Sequence, residues 1–209
     1  MTQSAALLRA VADGSSPESV RVFRPGPTAA FGRLDALSPG FAAAQEVAYG
    51  LGYAPILREA GGHAALYDED SIVIEVFRTR TGSLGGLHER FGELADLLSA
   101  TLADLGYPVQ VGELPGEYCP GQYSLHLPGP AGVKVAGVAQ RIIRGATLTA
   151  AVLTVRGGDR LRSAVAAVYA ALGEPVDPRL AGALSDRHPD ADPAAVAAAL
   201  RSAAAAHYG

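Results

Sequence analysis

Lysine occurs once in this chain of 209 residues, at position 134, and cysteine once, at position 119. The other sixteen of its 17 lysine and arginine residues are arginine. One cysteine excludes an internal disulfide and fits a reducing compartment. That cysteine and five scattered histidines show no metal-ligand spacing, so no metal site is expected. There is no P-loop and no GxGxxG. No apolar run approaches the roughly 18 residues of a membrane span. The N-terminal SAALLRAVA is too short, and preceded by too little positive charge, to read as a signal peptide. A cytoplasmic protein without a membrane partner is expected. The net charge of −4 and the lack of a basic stripe argue against a nucleic-acid partner.

What is present suits one folded unit. Apolar residues make up 49 % of the chain, ample for a core, and charged residues only 18 %. Alanine, arginine, glycine and proline are heavily used, a pattern that fits a GC-rich coding background. Such a background favours arginine over lysine, so the surviving lysine is informative.

Hydrophobic spacing places the elements. Residues 4–12 read as a short helix, VRVF (20–23) as a strand, RPGPT as a turn, and 39–53 as a helix. APIL is a short apolar run, and SIVIEVF (71–77) is a buried strand. Leu87, Phe91, Leu94, Leu98, Leu102 and Leu105 recur every three to four residues, predicting a helix over 86–107 capped at Gly106. QYSLHL (122–127) alternates like a half-buried strand, GPAG (129–132) is a hairpin turn, and KVAGVAQRI and ATLTAAVLTV follow as strands. A helix from Asp159 and an alanine-rich helix at the C-terminus complete the chain. Strands and helices without regular alternation predict an α+β fold, with mixed or antiparallel sheets and packed helices. The expected division is an N-terminal helix and loop over 1–19, a catalytic domain over 20–173, and a short helical tail over 174–209.

Three segments could carry chemistry. Cys119 lies in the turn Tyr118-Cys119-Pro120-Gly121, which presents a side chain to a cleft more readily than a strand centre does. It reads either as a nucleophile or as a small buried hydrophobe. Lys134 reads either as a solvated charge or as a compact ammonium that arginine cannot replace. The small residues after it, Gly137 and Ala139, would let a ligand lie against the backbone. Arg58, the pair Gly61-Gly62, and Asp68 form a loop that could clasp an anionic or amide-bearing ligand, with His63 and Ala64 inside it.

Together these segments resemble the lipoate-protein ligase and octanoyltransferase family, whose catalytic domain is related to biotin-protein ligase. REAGGHAALYDED (58–70) is similar to the family's Arg-x-x-Gly-Gly-x-Ala-x-x-x-Asp loop, and KVAGVAQR (134–141) to its Lys-x-x-Gly-x-Ala-Gln signature. RVFRPGPTAAFGRLDAL (21–37) resembles the strand and turn before the first long helix. The resemblance implies a lipoate-ligase-like catalytic domain, with Cys119 and Lys134 as catalytic residues. It also implies substrate contacts from Arg58, Gly61, Gly62, His63, Ala64, Asp68, Gly137, Val138, Ala139 and Gln140.

The position of Cys119 before the signature lysine resembles the cysteine-dependent branch, which passes an acyl chain through a thioester. The implied activity is transfer of an octanoyl or lipoyl group onto a lysine of a lipoyl-carrier domain, without a cofactor. Partners would be glycine-cleavage H protein, a 2-oxoacid dehydrogenase E2, or acyl-carrier protein. Lys134 would favour the Cys119 thiolate and stabilise the oxyanion. Arg141 and Arg144 would meet an acidic carrier. Two alternatives stand beside this. One is an ATP- and Mg-dependent lipoate ligase in which Lys134 holds lipoyl-AMP; the other is a non-catalytic acyl- or biotinyl-binding paralogue. Two departures from the family pattern are visible: His63 in place of a third glycine, and no asparagine in Ser71–Glu75.

Overall fold

The computed structural model describes residues 2–80, 86–130 and 132–209. Its larger sheet is centred on the apolar segment from Ser71. The strand β5 (Ser71–Thr79) has seven consecutive buried residues, as a strand covered on both faces must. It pairs on one side with β1 (Ser19–Phe23) and on the other with β9 (Ala146–Thr154). Beyond β9 come β8 (Val133–Ile143), β7 (Leu125–Leu127) and the two-residue β6 (Gln110–Val111), giving the order β1-β5-β9-β8-β7-β6 with every pair antiparallel.

Alternation along β5 divides its side chains between two environments. Ile72, Ile74 and Val76 face the helices α3 (Leu87–Asp104) and α5 (Pro193–Tyr208), where Leu94, Leu98 and Leu200 join them in the main core. The amphipathic spacing read from 86–107 is therefore the stripe that α3 buries. Val73 and Glu75 face the opposite way, into a cavity.

A second sheet lies across that cavity. It contains β2 (Thr28–Phe31), β3 (Ala54–Leu57) and β4 (Ala65–Tyr67) in the order β3-β2-β4, with β2 parallel to β3 and antiparallel to β4. Helices α2 (Phe41–Gly50) and α4 (Gly158–Leu172) pack against it through Ala44, Ala48, Val165 and Val168, over Phe31 and Leu66. The helix α1 (Gln3–Ala12) sets Leu8 and Val11 on Phe77 and Leu148. The fold is thus α+β, with one antiparallel and one mixed sheet.

Two sequence expectations change. The short apolar run APIL is a strand: Ala54–Leu57 pairs in register with Thr28–Phe31, which begins as the RPGPT turn ends, to build the smaller sheet. The strand expected over 122–127 is confined to Leu125–Leu127, because the preceding residues are held as a turn. There Ser124 N–H donates to the Gly121 carbonyl, while Gly121 N–H and Ser124 Oγ both donate to the Glu117 carboxylate. The turn expected at 129–132 includes Ala131, which lies outside the described residues. No described helix is long and apolar enough to cross a membrane.

Candidate active site

A cavity of about 390 Å³ separates the two sheets. Ala30, Ile56 and Ala65 of the smaller sheet face Val73, Ala150 and Val152 of the larger one across it. Arg58, Gly61, Gly62, Cys119, Lys134 and the stretch Gly137–Gln140 also line it. The glycine loop, the lone cysteine and the lysine signature, far apart in sequence, meet at one place.

Cys119 has φ of 42°, making it the one non-glycine residue with positive φ among the described residues. A left-handed cysteine is strained by roughly 1–3 kcal/mol and persists only where its surroundings hold it. The holding groups are explicit. The Cys119 N–H donates to Tyr169 Oη at 2.8 Å, and the Tyr169 hydroxyl donates to the Ala64 carbonyl at 2.8 Å. One phenol on α4 therefore joins the cysteine turn to the glycine loop.

Lys134 holds the other side of the turn. It is 1 % exposed, so the reading of a solvated surface charge does not hold. Its Nζ donates to the Cys119 carbonyl at 2.7 Å, the Tyr118 carbonyl at 2.9 Å and Glu117 Oε1 at 3.0 Å. An ammonium has three protons, and three acceptors take them. Glu117 is itself buried and saturated: besides Gly121 and Ser124, Leu114 N–H donates to its Oε2 at 3.2 Å. The lysine thus clamps two successive carbonyls of the cysteine turn, and its ammonium is neutralised by Glu117.

The cation that touches sulfur is Arg58. Its Nη2 lies 3.3 Å from Cys119 Sγ and donates at 2.7 Å to the His63 carbonyl. Its Nε is buried without a hydrogen-bond partner. Only glycine fits at position 62 beside this contact. Its φ is +92°, and a Cβ there would sit 2.8 Å from Sγ and 2.7 Å from the guanidinium.

Not every expected substrate contact lines the cavity. The His63 Nδ1 pairs at 2.9 Å with buried Asp35, whose other oxygen accepts the Gly32 N–H at 2.7 Å. Ala64 contributes its carbonyl to Tyr169. Asp68 accepts the Asp70 N–H in the turn between β4 and β5 and pairs with Arg160 at 3.3 Å. Burial raises the Asp68 carboxyl above its ordinary range despite that arginine. The Gln140 side chain donates to Thr149 Oγ1 and accepts from Arg90 of α3. Its backbone carbonyl accepts the Gly61 N–H at 3.2 Å, tying the glycine loop to β8. Arg141 lies 3.8 Å from Glu59.

Sequence reasoning passed over Glu117, Asp35 and Tyr169. A signal for the last existed: Tyr169 falls on the buried stripe of α4 beside Val165 and Leu172, where a hydroxyl must find a partner. Burial also pushes the Tyr118 and Tyr169 hydroxyls upward in pKa, and charge on Cys119 adds to both, so both stay protonated.

Residues 1–174 match the lipoyl protein ligase A/B catalytic domain. The chain belongs to that family. Among curated members, the octanoyl-GcvH:protein N-octanoyltransferase of Geobacillus kaustophilus is 30 % identical over 168 residues, covering 80 % of this chain and 58 % of the relative. That of Lysinibacillus sphaericus is 25 % identical, covering 72 % and 53 %. The chain spans about half the length of these relatives. Among solved structures, lipoate-protein ligase A bound with ATP superposes with a TM-score of 0.67 at 18 % identity, covering 97 % of this chain and 79 % of the ligase. A bi-partite lipoate protein ligase of Thermoplasma acidophilum gives 0.66 at 17 %, covering 96 % and 77 %. In this lipoyl ligase A/B domain, the matched region holds the cysteine turn, the glycine loop, the signature lysine and Tyr169 together.

Proposed function

We propose that this chain transfers an octanoyl group through a Cys119 thioester onto a lysine of a lipoyl-carrier domain. The observation that carries the reading is Cys119 Sγ in the wall of a largely apolar cavity, 3.3 Å from the Arg58 guanidinium. The guanidinium donates to the atom that would attack, so charge gathering there during the reaction is met by a cation. The names of the curated relatives support the acyl group and the carrier as substrates.

In the first half-reaction, the thiolate attacks the acyl carbonyl of the donor. The new C–S bond forms, the donor's own bond to the acyl carbon breaks, and the leaving group takes up a proton from solvent, which the second half-reaction returns. In the second, the neutral amine of the carrier lysine attacks the thioester, forming the amide, losing a proton and returning the thiolate. The oxyanion needs a donor near sulfur. Lys134 has none left, since its three protons are already used. The guanidinium of Arg58 has an unpartnered Nε–H and lies against the thiol, so it takes the role expected of Lys134. Lys134 instead acts through the turn, as a positioning residue.

Intact mass spectrometry after incubation with an octanoyl thioester donor tests the nucleophile. Wild type is expected to gain one octanoyl group and Cys119→Ser none; an adduct that persists in Cys119→Ser removes the reading. ATP–pyrophosphate exchange dependent on lipoate would establish the ligase alternative instead. Arg58→Met is expected to slow iodoacetamide alkylation of Cys119 at neutral pH by roughly ten-fold, the value of one lost hydrogen bond to a charged group. Alkylation at the wild-type rate in a folded Arg58→Met protein would show that the guanidinium does not activate sulfur.

A further inference from the structure

The cavity has a charged end. Across the larger sheet, Arg21, Glu75, Ala150 and Ala139 occupy one row: Arg21 pairs with Glu75, Glu75 with Ala150, and Ala150 with Ala139. Glu75, Ala150 and Ala139 all line the cavity. From β8, which also carries the signature lysine, to β5 is two strand spacings, about 10 Å. The two alanines leave the floor low, and Glu75 then rises from it as the one carboxylate in the apolar run 72–77.

This carboxylate is occupied. Arg21 Nε donates to its Oε2 at 3.1 Å, with a second, shorter contact from Arg21 Nη2, and Ser4 Oγ donates to its Oε1 at 2.6 Å. Arg21 Nη2 also donates to Ser4 Oγ at 3.2 Å. Ser4 belongs to α1, which roofs this end, and its neighbour Thr2 lines the cavity with it.

We infer that the Arg21–Glu75–Ser4 cluster is the stop that fixes the greatest acyl length this cavity accepts. The inference builds on the octanoyl-transfer reading, since it supplies the other end of the chain that Cys119 would hold. Each methylene laid over Ala139, Ala150 and Val152 leaves water, a gain of about four-fold in binding. A methylene pushed against Glu75 gains nothing of the kind and meets a carboxylate to which it offers no hydrogen bond. Preference should therefore climb with chain length and then break sharply at the wall.

Acylation rates of Cys119 with straight-chain thioesters of six to twelve carbons test this. Wild type is expected to rise to a maximum and fall at least ten-fold within the next two carbons. Glu75→Ala removes the wall, and Arg21, partly exposed, can turn to solvent; the maximum is expected to move two or more carbons longer. Ser4→Gly leaves the ion pair in place and is expected to raise the rate with chains just beyond the maximum several-fold. If Glu75→Ala does not fold, Ser4→Gly decides, and an unchanged length profile in a folded variant overturns the inference. Binding of free fatty acids of the same lengths, followed by calorimetry, separates the two proposals. An absence of acylation at every length, with a length cut-off in binding that Ser4→Gly relaxes, sinks the transferase reading and keeps the stop.

Discussion

Lys134→Met is expected to cost about 3–5 kcal/mol of stability, because it leaves the buried Glu117 carboxylate without its cation. The methionine fills similar space, so a lost contact rather than a cavity causes the effect. The carbonyls of Tyr118 and Cys119 lose their donor at the same time. The left-handed conformation of Cys119 then keeps the Tyr169 hydroxyl but loses the clamp on its carbonyl side, and acylation should fall with stability. Lys134→Arg is not expected to rescue either property. A planar guanidinium cannot aim three donors at three acceptors converging on the one point where the ammonium sits. Adding Glu117→Gln to Lys134→Met should recover more than about 1 kcal/mol, since the amide oxygen still accepts from Gly121 and Ser124 without a buried charge. Urea unfolding of the four proteins checks this. A Lys134→Met protein within about 1 kcal/mol of wild type would show that the ion pair contributes little.

Gly32→Ala is expected to reduce Cys119 acylation about a hundred-fold or more while costing only about 1–3 kcal/mol of stability. A Cβ at position 32 would stand 1.7 Å from the Gly62 carbonyl oxygen. Both partners are backbone, so no rotamer change relieves the overlap and the glycine loop must move. Gly62 lies against Sγ and the Arg58 guanidinium, so that movement separates the thiol from its cation. Timed mass spectrometry of the acyl-enzyme, with circular dichroism to establish folding, measures both parts. A folded Gly32→Ala protein with the wild-type rate would mean that the loop does not set the sulfur's surroundings.

Much of this was legible in the residues, and what was not has physical causes. The stripe of α3 and the run SIVIEVF are long, periodic segments whose burial follows from their pattern. The convergence of Arg58, Gly62, Cys119 and Lys134 followed from motif resemblance, and the cavity between the sheets is where they meet. The smaller sheet was invisible because β2 and β4 are four and three residues long and the first adjoins proline and glycine. Such strands exist only through their pairing. The burial of Lys134 was not legible, because pairing a lysine with Glu117 depends on a turn that no periodicity announces. His63 and Asp68 are close in sequence to the cavity residues, but their side chains are engaged elsewhere, by Asp35 and Arg160. Glu75 was noted only as a departure from a pattern; its place at the end of the cavity emerges from the register of β1, β5 and β9.

The phenol of Tyr169 has a consequence for how such a domain could lose its chemistry. It joins two loops that never meet in a β-ladder, and it is carried by a helix that itself lies outside the cavity. A slip of α4 by a single residue would withdraw that oxygen from both loops while leaving each sheet, and the space between them, in place. A descendant with that slip could still shelter a fatty tail, yet its sulfur would no longer be aimed, so capture and catalysis can part company through one helix.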